Sequence, residues 1–315
     1  MMQFNTPILI ILFNRPYLTI KLLDRLKLIK PSKLYIAADG PRENKVGEAQ
    51  LCEETRKLIN IIDWDCDVKT LFREKNIGCG LGVSSAISWM FEFEEYGIIL
   101  EDDCLPDLSF FPYCEELLIR FKDDKEVFQI SGTNLQNGQK RGEGSYYFSY
   151  YSGIWGWATW RRSWNYFTHK FEDLDETFNS GQLDKIFQSQ SEKLFWYRKF
   201  KESENLSHTI WDNHWLYSVW KNNGIGIAPN INLIINLGFL NSGTHVFLKD
   251  SKREQQRTYT MKFPLIHSSK IIDRSADLYI YKNIFSHSIF RFLRLLKENG
   301  IFTFLKYLLK HLFKK

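Results

Sequence analysis

The first hundred residues alternate short apolar runs with stretches of helical period, and no other feature narrows the fold as far. Ile8 to Phe13, Leu34 to Ala38, Asp67 to Phe72 and Ile98 to Leu100 read as strands. Helical stretches lie between them. From Tyr17 to Leu28, Leu18, Leu22, Leu23 and Leu26 share one face while Asp24, Arg25 and Lys27 point outward; Pro31 and Ser32 then end the run. Glu48 to Ile62 and Val83 to Glu95 follow in the same manner. Successive strands joined through helices pair in parallel by right-handed crossovers. The expectation is an α/β fold with a mostly parallel sheet flanked by helices.

Each strand runs into polar or charged residues: Asn14 and Arg15, Asp39, Arg73 with Asn76 beyond it, and Glu101-Asp102-Asp103. These ends converge on one edge of the sheet, the edge at which open α/β sheets bind ligands. Three adjacent carboxylates repel one another and need solvent, a cationic side chain or a metal as compensation. Hard oxygen ligands at a rigid strand end suit Mg²⁺ or Mn²⁺, which can in turn hold nucleotide phosphates. A solvated acidic turn is the structural alternative, and the tripeptide alone does not decide between them. The glycines at 78, 80 and 82 match neither the dinucleotide fingerprint nor the P-loop, though their amides are candidates to hold a phosphate or ribose.

The second half changes texture. A helix from Asp107 to Phe121 and a strand from Val127 to Ser131 precede a glycine-bearing polar loop, Gly132 to Ser145. An aromatic run then extends from Tyr146 to Trp160, with Gly153 and Gly156 set among the rings. Glycines permit close backbone approach beside flat apolar faces, so the run suits either a sugar-binding surface or core. Leu183 to Ser203 reads as a mixed helix. A further helix opens at Trp211, with Trp211, Trp215, Leu216, Val219 and Trp220 forming its apolar stripe. Asp212 lies off that stripe near the helix start, where a negative charge is favourable whatever its function. Ile225 to Ala228 is strand-like, and Ser242 to His245 is a loop in which His245 is a ligand candidate against its commoner structural role.

Five cysteines, odd in number and without metal-ligand or redox spacing, point to a reducing compartment and no disulfide framework. The apolar run Pro7 to Phe13 is too short for a membrane span and lacks the layout of a signal peptide. Net charge is +5, but Asn283 to Lys315 carries seven basic residues against Glu298, which leaves the rest about −1. A near-neutral body argues against nucleic acid as partner. Arg291, Arg294 and Lys297, then Lys306, Lys310 and Lys314, recur at helical spacing beside leucines and phenylalanines. The expected organisation is a catalytic domain over 1–250, divided near 131, a connecting segment over 251–282, and basic amphipathic helices over 283–315. Those helices are expected to lie on an anionic membrane surface at its cytoplasmic face, or to dock on protein.

Taken in order, the motifs resemble GT-A-fold glycosyltransferases, in particular the N-acetylglucosaminyltransferase I family and its bacterial relatives. The resemblance rests on Phe13-Asn14-Arg15-Pro16, Ala38-Asp39-Gly40, Leu100-Glu101-Asp102-Asp103, Pro106-Asp107-Leu108-Ser109-Phe110-Phe111, Ser131-Gly132-Thr133-Asn134, Gly153-Ile154-Trp155-Gly156-Trp157, Trp211-Asp212 and Gly243-Thr244-His245. It implies a Rossmann-like sheet and transfer from a nucleoside-diphosphate sugar, UDP-linked, to a glycan or lipid-linked acceptor with inversion. It also implies that Arg15 and Asp39 contact the nucleotide, that Glu101 and Asp102 face the nucleotide-sugar, and that Asp103 binds Mn²⁺ or Mg²⁺. Arg73 and Asn76 join the nucleotide-sugar candidates, and Thr244 and His245 match the loop that closes over the donor. Asp212 matches the catalytic base. The interval between Trp157 and Asp212 is longer than in the family's eukaryotic members, which leaves Asp173 and Asp175 as rival bases. Trp155, Trp157 and Trp211 are candidates for stacking on sugar rings. A sugar-1-phosphate nucleotidyltransferase and a non-catalytic glycan-binding protein are the alternatives.

Overall fold

The structure is a computed structural model that describes residues 3–239, 257–286 and 296–297. Its first half follows the predicted alternation: β1 (Ile8–Leu12), α1 (Pro16–Ile29), β2 (Lys33–Ala38), α2 (Glu48–Lys57), β3 (Asp67–Phe72), α3 (Cys79–Phe93) and β4 (Tyr96–Glu101). Next come β5 (Cys104–Pro106), α4 (Phe110–Arg120), β6 (Val127–Ser131), β7 (Tyr146–Ser149) and β8 (Trp157–Trp160). The chain continues through α5 (Arg161–Trp164), α6 (Leu174–Asn179), α7 (Gln190–Ser203), α8 (Asp212–Lys221), β9 (Ile225–Pro229), β10 (Ile234–Asn236) and α9 (Arg274–Ile280).

Eight strands form one sheet in the order β3-β2-β1-β4-β8-β6-β9-β7. The first four are parallel and joined by crossover helices; β1, β2 and β4 are buried and apolar, whereas β3 at the edge is half polar and not buried. β8 runs antiparallel to both β4 and β6, and β7 closes the far side antiparallel to β9. The fold is therefore α/β with a mixed sheet whose parallel half precedes the acidic turn. Register fixes the site. Leu12 lies opposite Ala38, and Ile11 opposite Glu101, so β1, β2 and β4 end level with one another. A two-stranded ribbon of β5 and β10 projects from this edge.

The aromatic run resolves into strand, loop and strand. β8 is buried along its whole length in the middle of the sheet, which disposes of Trp157 and Trp160 as core. Between them and the preceding loop, Gly156 sits at a φ of +58°, and any side chain there would run into Ile234. α8 buries Trp215 and Trp220 against α7 and the sheet, together with Trp196.

Of the stretch expected to connect, residues 257–282 are described, and they pack on the domain. Ile272 bridges to Phe148, α9 packs beside β7, and the Phe285 ring lies 4.9 Å from that of Trp196. Ile284 and Phe285, at the head of the expected basic helices, pack on the body. Of the basic tail beyond, all but residues 296–297 lies outside the described residues, as do Thr244 and His245. Among the described residues no helix is long and apolar enough to cross a membrane.

α9 is fastened by an acid. Asp277 is fully buried and accepts a hydrogen bond from Ser149 Oγ at 2.5 Å. Burial pushes its carboxyl up to about 7; Ser149 and Arg274 work against this, and Glu192 adds repulsion. Unfolded, the group would titrate near 3.8. Between those values the native state keeps a proton that the unfolded chain has lost, so stability falls as pH rises from about 4 to about 7. Asp277→Asn keeps an acceptor for Ser149 and removes the buried charge. Thermal unfolding at pH 8 should find it more stable than wild type by about 1–3 kcal/mol, with the advantage gone by pH 4.

Candidate active site

The acidic turn begins where β4 ends and is folded under β10. Leu237 N donates to Asp103 O at 2.8 Å, and a Cβ at Gly238 would stand 2.5 Å from Asp103 Oδ2. Arg15, the residue before α1, reaches across from the end of β1. Its Nη1 lies 3.1 Å from Asp102 Oδ1 and 3.0 Å from Asp103 Oδ2. Asp102 is 6% exposed, and its Oδ2 is buried without a hydrogen-bond partner. Burial first, and the neighbouring carboxylates after it, push Glu101 upward against the pull of Arg15. Burial likewise raises Asp102, with Arg15 opposing.

A partnerless buried carboxylate oxygen beside a second acid fits a hard divalent cation. Among the described residues no three metal-ligating side chains gather at one point. The pair therefore suits an ion that takes its remaining ligands from water and substrate phosphate, as Mg²⁺ commonly does.

The neighbouring strand ends make contacts within the protein. Asp39 accepts from Gly40 N at 2.9 Å and from Ile77 N at 3.1 Å, so its carboxylate pins the loop before α3. Burial raises this carboxyl, while the amides and Arg73 oppose the shift. Asn76 completes the clasp, donating to Gly40 O and accepting from Gly78 N. Arg73 donates to Ser85 Oγ at 2.8 Å. The glycine amides are spoken for too: Gly80 N donates to His208 O at 2.9 Å, and Gly82 N to Gly78 O. They close α3 against the loop before α8 and are not a phosphate cradle. Arg15 rests on the carboxylates.

Asp212 is the exposed first residue of α8, with Asn213 N donating to its Oδ1 at 2.9 Å. It lines a cavity of about 590 Å³ bounded by the loop around Trp155, the start of α8, residues 230–232 and residues 279–285. Asp212 also contributes, after the nearer carboxylates, to the electrostatic rise of Glu101. Its rivals are engaged elsewhere. Asp173 pairs with Lys221 and accepts from Tyr217 at 2.9 Å, and Asp175 accepts from Tyr197 at 2.7 Å.

Of the three tryptophans expected to stack on sugars, Trp155 alone is on the cavity wall. Trp157 and Trp211 are 1% and 4% exposed and stack on each other at 5.7 Å, so they are core. The sequence reading missed Tyr151, Asn230, Asn232 and Tyr259 as cavity residues. Asn230 and Asn232 spend their side chains on backbone, so the wall is mostly aromatic and apolar where a ligand would meet it. These residues follow no spacing that sequence could reveal.

No family model matches the chain, and no curated protein matches it. Among solved structures it is similar to UDP-glucose pyrophosphorylase complexed with UDP-glucose, at 11% identity and a TM-score of 0.36, covering 71% of this chain and 90% of that one. It is also similar to 4-diphosphocytidyl-2C-methyl-D-erythritol synthase from Anaerococcus prevotii, at 10% identity and a TM-score of 0.33, covering 71% and 88%. The apo form of mouse xyloside xylosyltransferase 1 is similar at 10% identity and a TM-score of 0.32, covering 68% and 81%. At such distances the chemistry has to come from the chain's own side chains.

Proposed function

We propose that the protein is a metal-dependent glycosyltransferase. It moves a sugar from a nucleoside-diphosphate sugar, UDP-linked by its resemblance, to a hydroxyl of a glycan or lipid-linked acceptor, with inversion. One observation carries this reading: Asp212 belongs both to the wall of the aromatic cavity and to the electrostatic surroundings of Glu101. A carboxylate on the wall of a cavity of sugar size, within electrostatic reach of the acidic turn, would take the proton of an acceptor hydroxyl as it attacks the anomeric carbon. Trp155 offers a face on which a sugar ring can lie. Asp102 and Asp103 would hold Mn²⁺ or Mg²⁺, which when bound supplies a Lewis acid for the departing diphosphate.

A nucleotidyltransferase would bring a sugar phosphate to the same edge. Among the described residues lining the cavity Arg257 is the one cation, poor provision for a dianionic substrate. A thermal-shift screen of nucleotides and nucleotide-sugars with and without Mn²⁺ separates the readings. The right donor at a hundred times its Kd should stabilise by about 2.7 kcal/mol. A nucleoside triphosphate outranking every nucleotide-sugar would overturn the proposal. Trp155→Ala should raise the acceptor KM about tenfold and leave donor hydrolysis unchanged.

The basic run after Ser286 places the enzyme on an anionic membrane surface, each lysine or arginine near the lipid contributing about 1 kcal/mol. Liposome co-sedimentation of the full chain against one ending at Ser286 tests this, because truncation there spares the cavity wall. Equal binding by both would assign the run to docking on protein.

A further inference from the structure

Arg15 is held where a metal would be needed. One nitrogen, Nη1, touches one oxygen of each of two carboxylates at nearly equal distance, 3.1 and 3.0 Å. The backbone beneath it is fixed: Pro16 opens α1, and Arg15 O accepts from Leu18 N and Thr19 N. The side chain is more exposed than its partners, 29% against 7% for that of Asp102 and 17% for that of Asp103. The other arginine at this edge, Arg73, is engaged with Ser85.

We propose that Arg15 is a resident counter-cation: its guanidinium keeps the place between Asp102 and Asp103 that a divalent ion takes when the nucleotide arrives. The inference rests on reading that acid pair as the metal-holding pair. A guanidinium does not lose its proton under working conditions, so an ion cannot neutralise this competitor and has to displace it. Displacement takes both carboxylate contacts from a planar five-donor cation, and a diphosphate is the anion whose geometry that fork matches. Metal and nucleotide should accordingly bind as a pair, each poorly without the other. Free enzyme would not collect divalent cations, and its buried acids would stay compensated between turnovers.

Calorimetric titration of the full-length protein with Mn²⁺, alone and at saturating UDP, tests this directly. Wild type should bind Mn²⁺ at least tenfold tighter with UDP than without. Arg15→Met, which keeps the reach and drops the charge, should bind Mn²⁺ alone at least tenfold tighter than wild type does. Its thermal midpoint should start lower and rise further on adding Mn²⁺. Adding Asp103→Asn should remove both gains. Arg15→Gln carries the same expectation if the Met variant does not fold. Should Arg15→Met bind Mn²⁺ alone no better than wild type, while wild type still binds it with UDP, the counter-cation role is overturned and the metal site stands. Absence of Mn²⁺ binding by wild type with UDP would overturn both.

Discussion

Asp212→Asn is expected to leave donor affinity unchanged and to lower transfer by about 10²–10⁴-fold, the range for loss of a general base. The substitution is nearly isosteric and keeps an oxygen to accept from Asn213 N, so the start of α8 should survive it. What disappears is the basic oxygen on the cavity wall. The loss should fall on kcat, with acceptor KM little changed, because proton removal belongs to the transition state. Asp173→Asn and Asp175→Asn are the controls. The first disturbs an ion pair with Lys221 and a bond from Tyr217, the second a single bond from Tyr197. Both should alter stability more than turnover. If Asp212→Asn keeps full activity and either control loses it, the base has been misplaced.

How much of this could be read from residues alone depended on whether the deciding contacts were local. β3 was predicted over the six residues it occupies, because a short run rich in strand-forming residues, Val68, Thr70 and Phe72, is a local signal. The convergence of Arg15, Asp39 and Glu101–Asp103 followed from topology, since level strand ends are a property of parallel crossovers. The loop contacts of Asp39 and Asn76 did not follow. Beside one near neighbour each, these side chains bond a backbone carbonyl and a backbone amide 36 to 38 residues away in sequence, which spacing does not encode. Trp157 and Trp211 looked like Trp155 as residue types, and only the insertion of β8 between β4 and β6 turned them into core. β5 and β10 have three residues each, too few for any period to register. Phe285 fitted an amphipathic repeat, and its contact with Trp196, 89 residues away in sequence, left no local signal.

Asp103→Ala should abolish Mn²⁺-dependent nucleotide binding without unfolding the protein. The backbone bond from Leu237 N to residue 103 does not need the side chain, so the ribbon over the turn remains. Electrostatically the change is a relief. Asp103 is the largest of the charges that raise Glu101 and also raises Asp102, so removing it lets both carboxyls move back toward their ordinary range. Arg15 keeps Asp102 as its partner. Thermal unfolding at neutral pH should show a midpoint no lower than wild type, whereas a carboxylate serving as a structural anchor would cost about 3–5 kcal/mol when its buried partner was left alone. UDP titrations by calorimetry, with Mn²⁺ and with a chelator, supply the second reading. Wild type should lose most of its affinity in chelator, and Asp103→Ala should show that weak affinity in both conditions. Undiminished Mn²⁺-dependent binding in the variant would remove Asp103 from the site and leave Asp102, with its partnerless oxygen, as the acid on which any metal has to rest.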